Sequence, residues 1–384
     1  MGRHVLIVSA SFGAGHDHIA GELRRRLVAG GHDVVVVDFL DALPAGLGRA
    51  LRWSYREMLD HQPGLYEWIY RLWFTPGRRV APTVSPVTLP TAPALLQQVA
   101  RCRPDVVVST FHLASQVLGG LRESGALRRP AVTFVTDFAV HRLWCHRAVD
   151  LHLCLDPAGA AGVRRAGGTA SSPGPVVSPA FLDALPDRER ARRALGVGPD
   201  DRVALVVAGA WGAGDPLAAV ESLALAGVVP VTVCGRREQL RDRLRALGRG
   251  VALGWVDDMP RLMAAADVLV ENAGGLMALE AMSARLPVVT YRPIPGHGRA
   301  NATAMAAAGV TVLAGDAAAL RGAVGRLAAR GPERARQIAA GTALFAGDAA
   351  AEVLALAGDV SGRGSASPAT TTRTARRAGR SGRS

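Results

Sequence analysis

The chain has 384 residues, 49% hydrophobic and 20% charged, which excludes a minimal single domain and a disordered or fibrous chain. All 45 basic residues are arginine and the net charge is +13; six arginines in residues 361–384 carry +6 of it, and the remaining +7 suits an anionic partner. Four scattered cysteines (Cys102, Cys145, Cys154, Cys234) lack CxxC or zinc-like spacing and read as thiols of a reducing compartment, and no apolar run reaches membrane-span length.

The first predicted strand, Val5–Val8, is too short for a signal-peptide core and runs into a glycine loop rather than a cleavage site. That loop, Ser9-Ala10-Ser11-Phe12-Gly13-Ala14-Gly15-His16, precedes a helix with Ile19, Leu23 and Leu27 at fourfold spacing. Gly13 and Gly15 let backbone approach a ligand, but they do not complete a GxGxxG dinucleotide fingerprint. His16 closes the turn, at the carboxyl end of a strand, where an imidazole suits a general base; the alternative is a helix-capping histidine with no chemistry.

A second strand, Val34–Val37, is followed by a segment outside the strand–helix rhythm. Residues 47–90 hold Trp53, Tyr55, Tyr66, Trp68, Tyr70, Trp73 and Phe74, a dense cluster of the chain's few aromatics, among Arg49, Arg52, Arg56 and Arg71. Amphipathic rings with arginine suit a lipid headgroup region, with Trp68, Trp73 and Phe74 as the contacts; the alternative is that they pack the core. The rhythm resumes with strands Val106–Ser109, Val132–Thr136 and Leu151–Leu155.

After a proline-rich break near residues 178–186, strands are predicted at Val203–Val207, Val228–Val233, Val251–Leu253, Val268–Val270, Val288–Tyr291 and Val310–Leu313. Each run is nearly all apolar, the mark of strands buried on both faces of a parallel sheet. The expectation is therefore an α/β chain of two Rossmann-like domains with a cleft between them: residues 1–180, residues 188–345, a C-terminal helix over 346–360 and a disordered Arg-rich tail over 361–384.

Three loops of the second half carry candidate chemistry. Gly209-Ala210-Trp211-Gly212-Ala213-Gly214 follows the first strand there and could bring Gly212 near a diphosphate, or be a plain turn. Glu271-Asn272-Ala273-Gly274-Gly275-Leu276 leads into a helix whose first amides suit a phosphate, and Glu280 on that helix could accept ribose hydroxyls or simply face the helix dipole. Pro293-Ile294-Pro295-Gly296-His297-Gly298-Arg299-Ala300-Asn301 is a rigid loop from which His297 could reach a sugar or phosphate; a surface turn is the other reading.

Taken in this order, the four loops resemble glycosyltransferase family 28, and within it the monogalactosyldiacylglycerol synthase branch, over nearly all of residues 4–345. The resemblance extends to Thr136-Asp137-Phe138-Ala139-Val140-His141 with Trp144, to Val233-Cys234-Gly235-Arg236, and to Gly254-Trp255-Val256-Asp257-Asp258-Met259-Pro260. It implies a GT-B fold, a UDP-sugar donor in the second domain, and an acceptor at the first. By position it places Trp255 and Val256 at the uracil, with Gly212 and Arg236 among the other donor-binding residues. Gly274, Gly275 and Leu276 fall at the phosphates, Glu280 at the ribose, and His16 and Asp137 at the acceptor hydroxyl. The family pair Gln-Glu is replaced here by His297-Gly298.

The function so implied is inverting, metal-independent transfer of galactose or glucose from a UDP-sugar to diacylglycerol or a similar lipid, with no cofactor. The enzyme would work in the cytoplasm, peripheral on the anionic inner face of the cell membrane. Rival readings are an N-acetylglucosamine transferase acting on a polyprenyl-linked cell-wall precursor and a UDP-sugar epimerase. Specific nucleic-acid binding is not expected, because the excess charge sits in the tail without a basic-aromatic platform.

Overall fold

The computed structural model describes residues 2–12, 14–44, 46–74, 89–182, 186–207 and 215–362. The loop 208–214 with Gly212, and the arginines of the tail from residue 363, lie outside the described residues, as does the side chain of Trp73.

The first half runs β1 (His4–Ser9), α1 (Ala14–Ala29), β2 (Asp33–Asp38), α2 (Leu47–His61), α3 (Pro63–Trp73), α4 (Ala92–Cys102), β3 (Val106–Ser109), α5 (His112–Glu123), β4 (Ala131–Phe134), β5 (Leu151–Leu153), α6 (Pro157–Arg165) and β6 (Ala170–Ser171). The second half runs α7 (Arg188–Leu195), β7 (Val203–Val207), α8 (Pro216–Leu225), β8 (Val229–Val233), α9 (Glu238–Leu247), β9 (Val251–Leu253), α10 (Met259–Ala265), β10 (Val268–Glu271), α11 (Leu276–Ser283), β11 (Val288–Tyr291), α12 (His297–Ala307), β12 (Val312–Ala314), α13 (Ala317–Ala328), α14 (Pro332–Ala343) and α15 (Ala349–Gly362).

Among the described residues the strands form two six-stranded sheets, ordered β2-β1-β3-β4-β5-β6 and β12-β11-β10-β7-β8-β9, with every pairing parallel. Apolar runs such as Val203–Val207 are buried on both faces, as helices on either side require. The short edge strand β6 escapes the sequence pattern because Ala170-Ser171 has no β-branched run.

Strand order reverses beside β1 and β3 in the first sheet and beside β7 and β10 in the second. At such a point the loops leaving two neighbouring strands diverge and open a crevice beyond the carboxyl ends. The loops of His16 and Thr110 open the first crevice; the loop of Glu271–Gly275 lies at the second. The last helix returns to the first sheet, packing on α1 and β3 with Val353 and Ala357 in one core with Ile19 and Leu27.

Candidate active site between the two sheets

His16 sits in the first turn of α1, whose loop is tied down by Ser9 Oγ donating to Asp17 (2.8 Å) and by Ser11 Oγ donating to Asp38. Its Nδ1–H donates to the Thr110 carbonyl at 2.8 Å, on the loop after β3. A carbonyl can only accept, so the neutral ring leaves its Nε2 lone pair free. Burial lowers the His16 pKa, against an opposing pull from the Asp137 charge.

Asp137 follows β4 and is oriented from both halves of the chain. Trp144 Nε1 donates to Oδ2 at 2.9 Å, and Asn301 Nδ2, from α12, donates to Oδ1 at 3.0 Å. Asn301 Oδ1 accepts from the Ala139 amide at 2.9 Å, so one amide clamps the Asp137 loop by both of its ends. Burial alone would raise the Asp137 pKa, but His141, the Asn301 amide, His297 and the Trp144 indole together hold it below the ordinary carboxylate value.

The aromatic segment divides by helical face. Tyr66, Tyr70 and Phe74 follow at fourfold spacing and turn inward. Phe74 meets His141 edge-on at 4.7 Å and His112 at 5.5 Å, so it lines the cleft rather than an outer surface. Tyr66 and His297 Nδ1 share a 2.8 Å hydrogen bond across the cleft, and Glu67 accepts from the Gly296 amide at 2.6 Å. Gly296 has φ +69°, and a Cβ there would meet Tyr66 at 2.8 Å, so only glycine permits this approach. On the other face Trp53 and Trp68 are 67% and 61% exposed.

In the second half the loop after β10 closes on itself. Glu271 accepts from the amides of Ala273 (2.7 Å) and Gly274 (2.6 Å) and from Thr290 Oγ1 (2.6 Å). The Gly274 amide, expected to face a phosphate, is therefore engaged inside the turn. Gly274 is required instead by its φ of +63° and by Asn301 and Met305, each 2.9 Å from where its Cβ would stand. The amides left open to an anion are those at the start of α11, Leu276 and Met277 beside Gly275, which have no intrahelical acceptor.

Glu280, on the second turn of α11, is 2% exposed; burial pushes its pKa up to about 8, and its Oε2 has no hydrogen-bond partner among the described residues. Trp255 is 56% exposed with its Nε1 donating to Asp257 at 2.8 Å; the Arg236 guanidinium covers its ring at 5.0 Å, and Val256 is partly buried beside it. The structure thus brings together His16, Asp137 and His297 at the cleft, with Glu280 and the start of α11 on the wall formed by the second half. Gly15, in the first turn of α1, has open space where a side chain would be.

His112, Thr110 and Tyr66 were not singled out as site residues by sequence reasoning, because nothing local distinguishes them from core residues. His16, His112, His141 and His297 are all held below the usual histidine range, burial being the largest cause in each, and His141 falls to about 4. Unfolded, each ring recovers a pKa near 6.5, so below that pH the unfolded chain binds more protons. Stability is full above about pH 6.5 and is lost as pH falls; His141 alone accounts for roughly 3 kcal/mol by pH 4. Urea melts should show midpoints dropping between pH 6.5 and 4, with a shallower drop in His141→Phe. An identical slope in that variant would show that His141 titrates normally in the native state.

Known proteins share this architecture. Residues 16–172 match the family model for monogalactosyldiacylglycerol (MGDG) synthase, and residues 201–330 match that for glycosyl transferases group 1. A processive diacylglycerol beta-glucosyltransferase of Bacillus cereus (strain G9842) is 26% identical over 330 residues, which cover 81% of this chain and 82% of that one. MurG of Acinetobacter baumannii superimposes with TM-score 0.58 at 17% identity, covering 93% of this chain and 99% of its own. HepE of Anabaena, solved with UDP-glucose, does so with TM-score 0.52 at 17% identity, covering 93% and 98%.

Proposed function

We propose that the chain, whose two halves are similar to monogalactosyldiacylglycerol synthases and to group 1 glycosyl transferases, is a GT-B glycosyltransferase that transfers a hexose from a UDP-sugar to diacylglycerol with inversion at the anomeric carbon. Glucose is favoured as the sugar because the Bacillus cereus relative is a glucosyltransferase acting on diacylglycerol, and the UDP carrier because HepE was solved holding UDP-glucose.

The observation that carries this reading is a half-buried histidine with one nitrogen anchored and the other free, facing a cleft whose opposite wall offers helix amides and a buried carboxyl. The diphosphate lies at the start of α11, against the Leu276 and Met277 amides, and Glu280 accepts from the ribose. The proton of the acceptor hydroxyl passes to His16 Nε2 as its oxygen bonds to the anomeric carbon; the bond from that carbon to the diphosphate breaks, and UDP departs. Asp137 stabilises the imidazolium so formed. The helix amides and dipole offset the leaving charge, so no metal is required.

The acceptor stays in a bilayer, so the protein must reach it. Among the described residues no helix is long and apolar enough to cross a membrane. Trp53, Leu65 and Trp68 project outward from α2 and α3, helices that also carry Arg49, Arg52 and Arg71. Rings and arginines on one hairpin suit peripheral docking on an anionic inner membrane face. The test is incubation with UDP-glucose, UDP-galactose or UDP-N-acetylglucosamine and diacylglycerol vesicles, with EDTA present. The expected product is β-glucosyldiacylglycerol, forming faster with anionic lipid and more slowly at high salt. Transfer only from UDP-N-acetylglucosamine, or sugar release without a lipid product, would overturn the reading.

A further inference from the structure

His18 has no role in the mechanism above. It stands at the start of the second turn of α1, two residues beyond His16, and two residues turn about 200° around a helix. His16 therefore faces Thr110 and the acceptor side, while His18 faces the other half of the chain. There its Nε2 lies 3.6 Å from Glu280 Oε1. The His18 side chain is 42% exposed and that of Glu280 3%, so an open imidazole at the rim of the cleft stands over a buried carboxyl from the opposite wall.

The pair is incomplete on both sides. A separation of 3.6 Å is too long for a full hydrogen bond, and Glu280 Oε2, although buried, has no hydrogen-bond partner among the described residues, a condition that costs stability. A group that completes the pair must donate to a carboxylate and accept from an imidazole N–H. A sugar hydroxyl does both, and two neighbouring hydroxyls also reach the second carboxylate oxygen.

We propose that His18 is a donor-binding residue supplied from the acceptor side of the cleft, its Nε2–H donating to the ribose hydroxyl whose proton Glu280 accepts. This rests on the donor reading given above and adds a contact from the facing half, without which the ribose site is open on one side.

The test compares UDP with 2′,3′-dideoxy-UDP by calorimetry, in the wild type, His18→Ala and His18→Gln. His18→Ala should weaken UDP binding by about three- to tenfold, the worth of one hydrogen bond, and leave dideoxy-UDP binding unchanged. His18→Gln, which keeps an N–H, should recover part of the loss. At saturating donor, kcat should stay within about threefold of wild type, since the base is untouched. The ligand-free melting temperature should not move, because the side chain is open to solvent. An equal loss for both nucleotides, or unchanged UDP affinity, would overturn the role of His18 alone. A wild-type protein that binds no UDP would instead remove the donor reading together with this inference.

Discussion

Alanine in place of His16 is expected to lower kcat by about two to four orders of magnitude, the usual worth of a general base, while UDP still binds. The expectation follows from geometry first. Thr110 holds Nδ1 at 2.8 Å, which fixes the tautomer and leaves the Nε2 lone pair to take a proton. Burial then lowers the ring's pKa, so the imidazole is neutral and able to take a proton at pH 7. Because the basic form is required, kcat/KM should fall on the acid side, below a pKa lying under 6.5. The Asp137 charge raises that pKa, so Asp137→Asn should move the acid limb to lower pH and cost less rate than His16→Ala. Single-turnover rates across pH for both variants settle the assignment. If His16→Ala retains its rate while Asp137→Asn is dead, the base is Asp137 and His16 only positions the acceptor.

Glu280→Gln should separate stability from function. The donor KM should rise by roughly three- to tenfold, since the lost hydrogen bond to ribose is worth about 0.5–1.5 kcal/mol. The ligand-free protein, in contrast, should become more stable. A carboxyl raised to about 8 in the fold returns to about 4.5 when unfolded, so its contribution is full below pH 4.5 and is lost as pH rises toward 8. At pH 7 that penalty is roughly 3 kcal/mol, and an uncharged amide removes much of it. Melting curves at pH 5 and pH 8 measure this directly: the gain should be present at pH 8 and absent at pH 5. A variant that loses stability at both pH values with unchanged donor KM would make Glu280 a structural residue. Stability given up at a binding residue is a common trade in sites built to hold a polar ligand.

Much of the architecture was legible in the chain itself. Apolar β-branched runs such as Val106–Ser109 and Val203–Val207 mark buried parallel strands because a strand covered on both faces has no polar side to show. The glycine loop ending in His16 follows such a strand, which by itself places the histidine at a carboxyl end. These features are local: each depends on the period of a helix or strand and on a few neighbouring residues.

The site itself was decided only by the tertiary structure. Asn301 reaches Asp137 across 164 positions, Tyr66 reaches His297 across 231, and His18 reaches Glu280 from the opposite half of the chain. No periodicity links such residues, because their approach is set by strand order and by how the two sheets face each other. The Gly274 amide shows the same limit at short range. A glycine at a helix start announces room for an anion, but the Glu271 carboxylate three residues before it has taken that amide. Sequence thus determined which elements form and which loops end at the cleft. Packing determined which donors and acceptors there remain free, since each depends on every group that folding brings within reach.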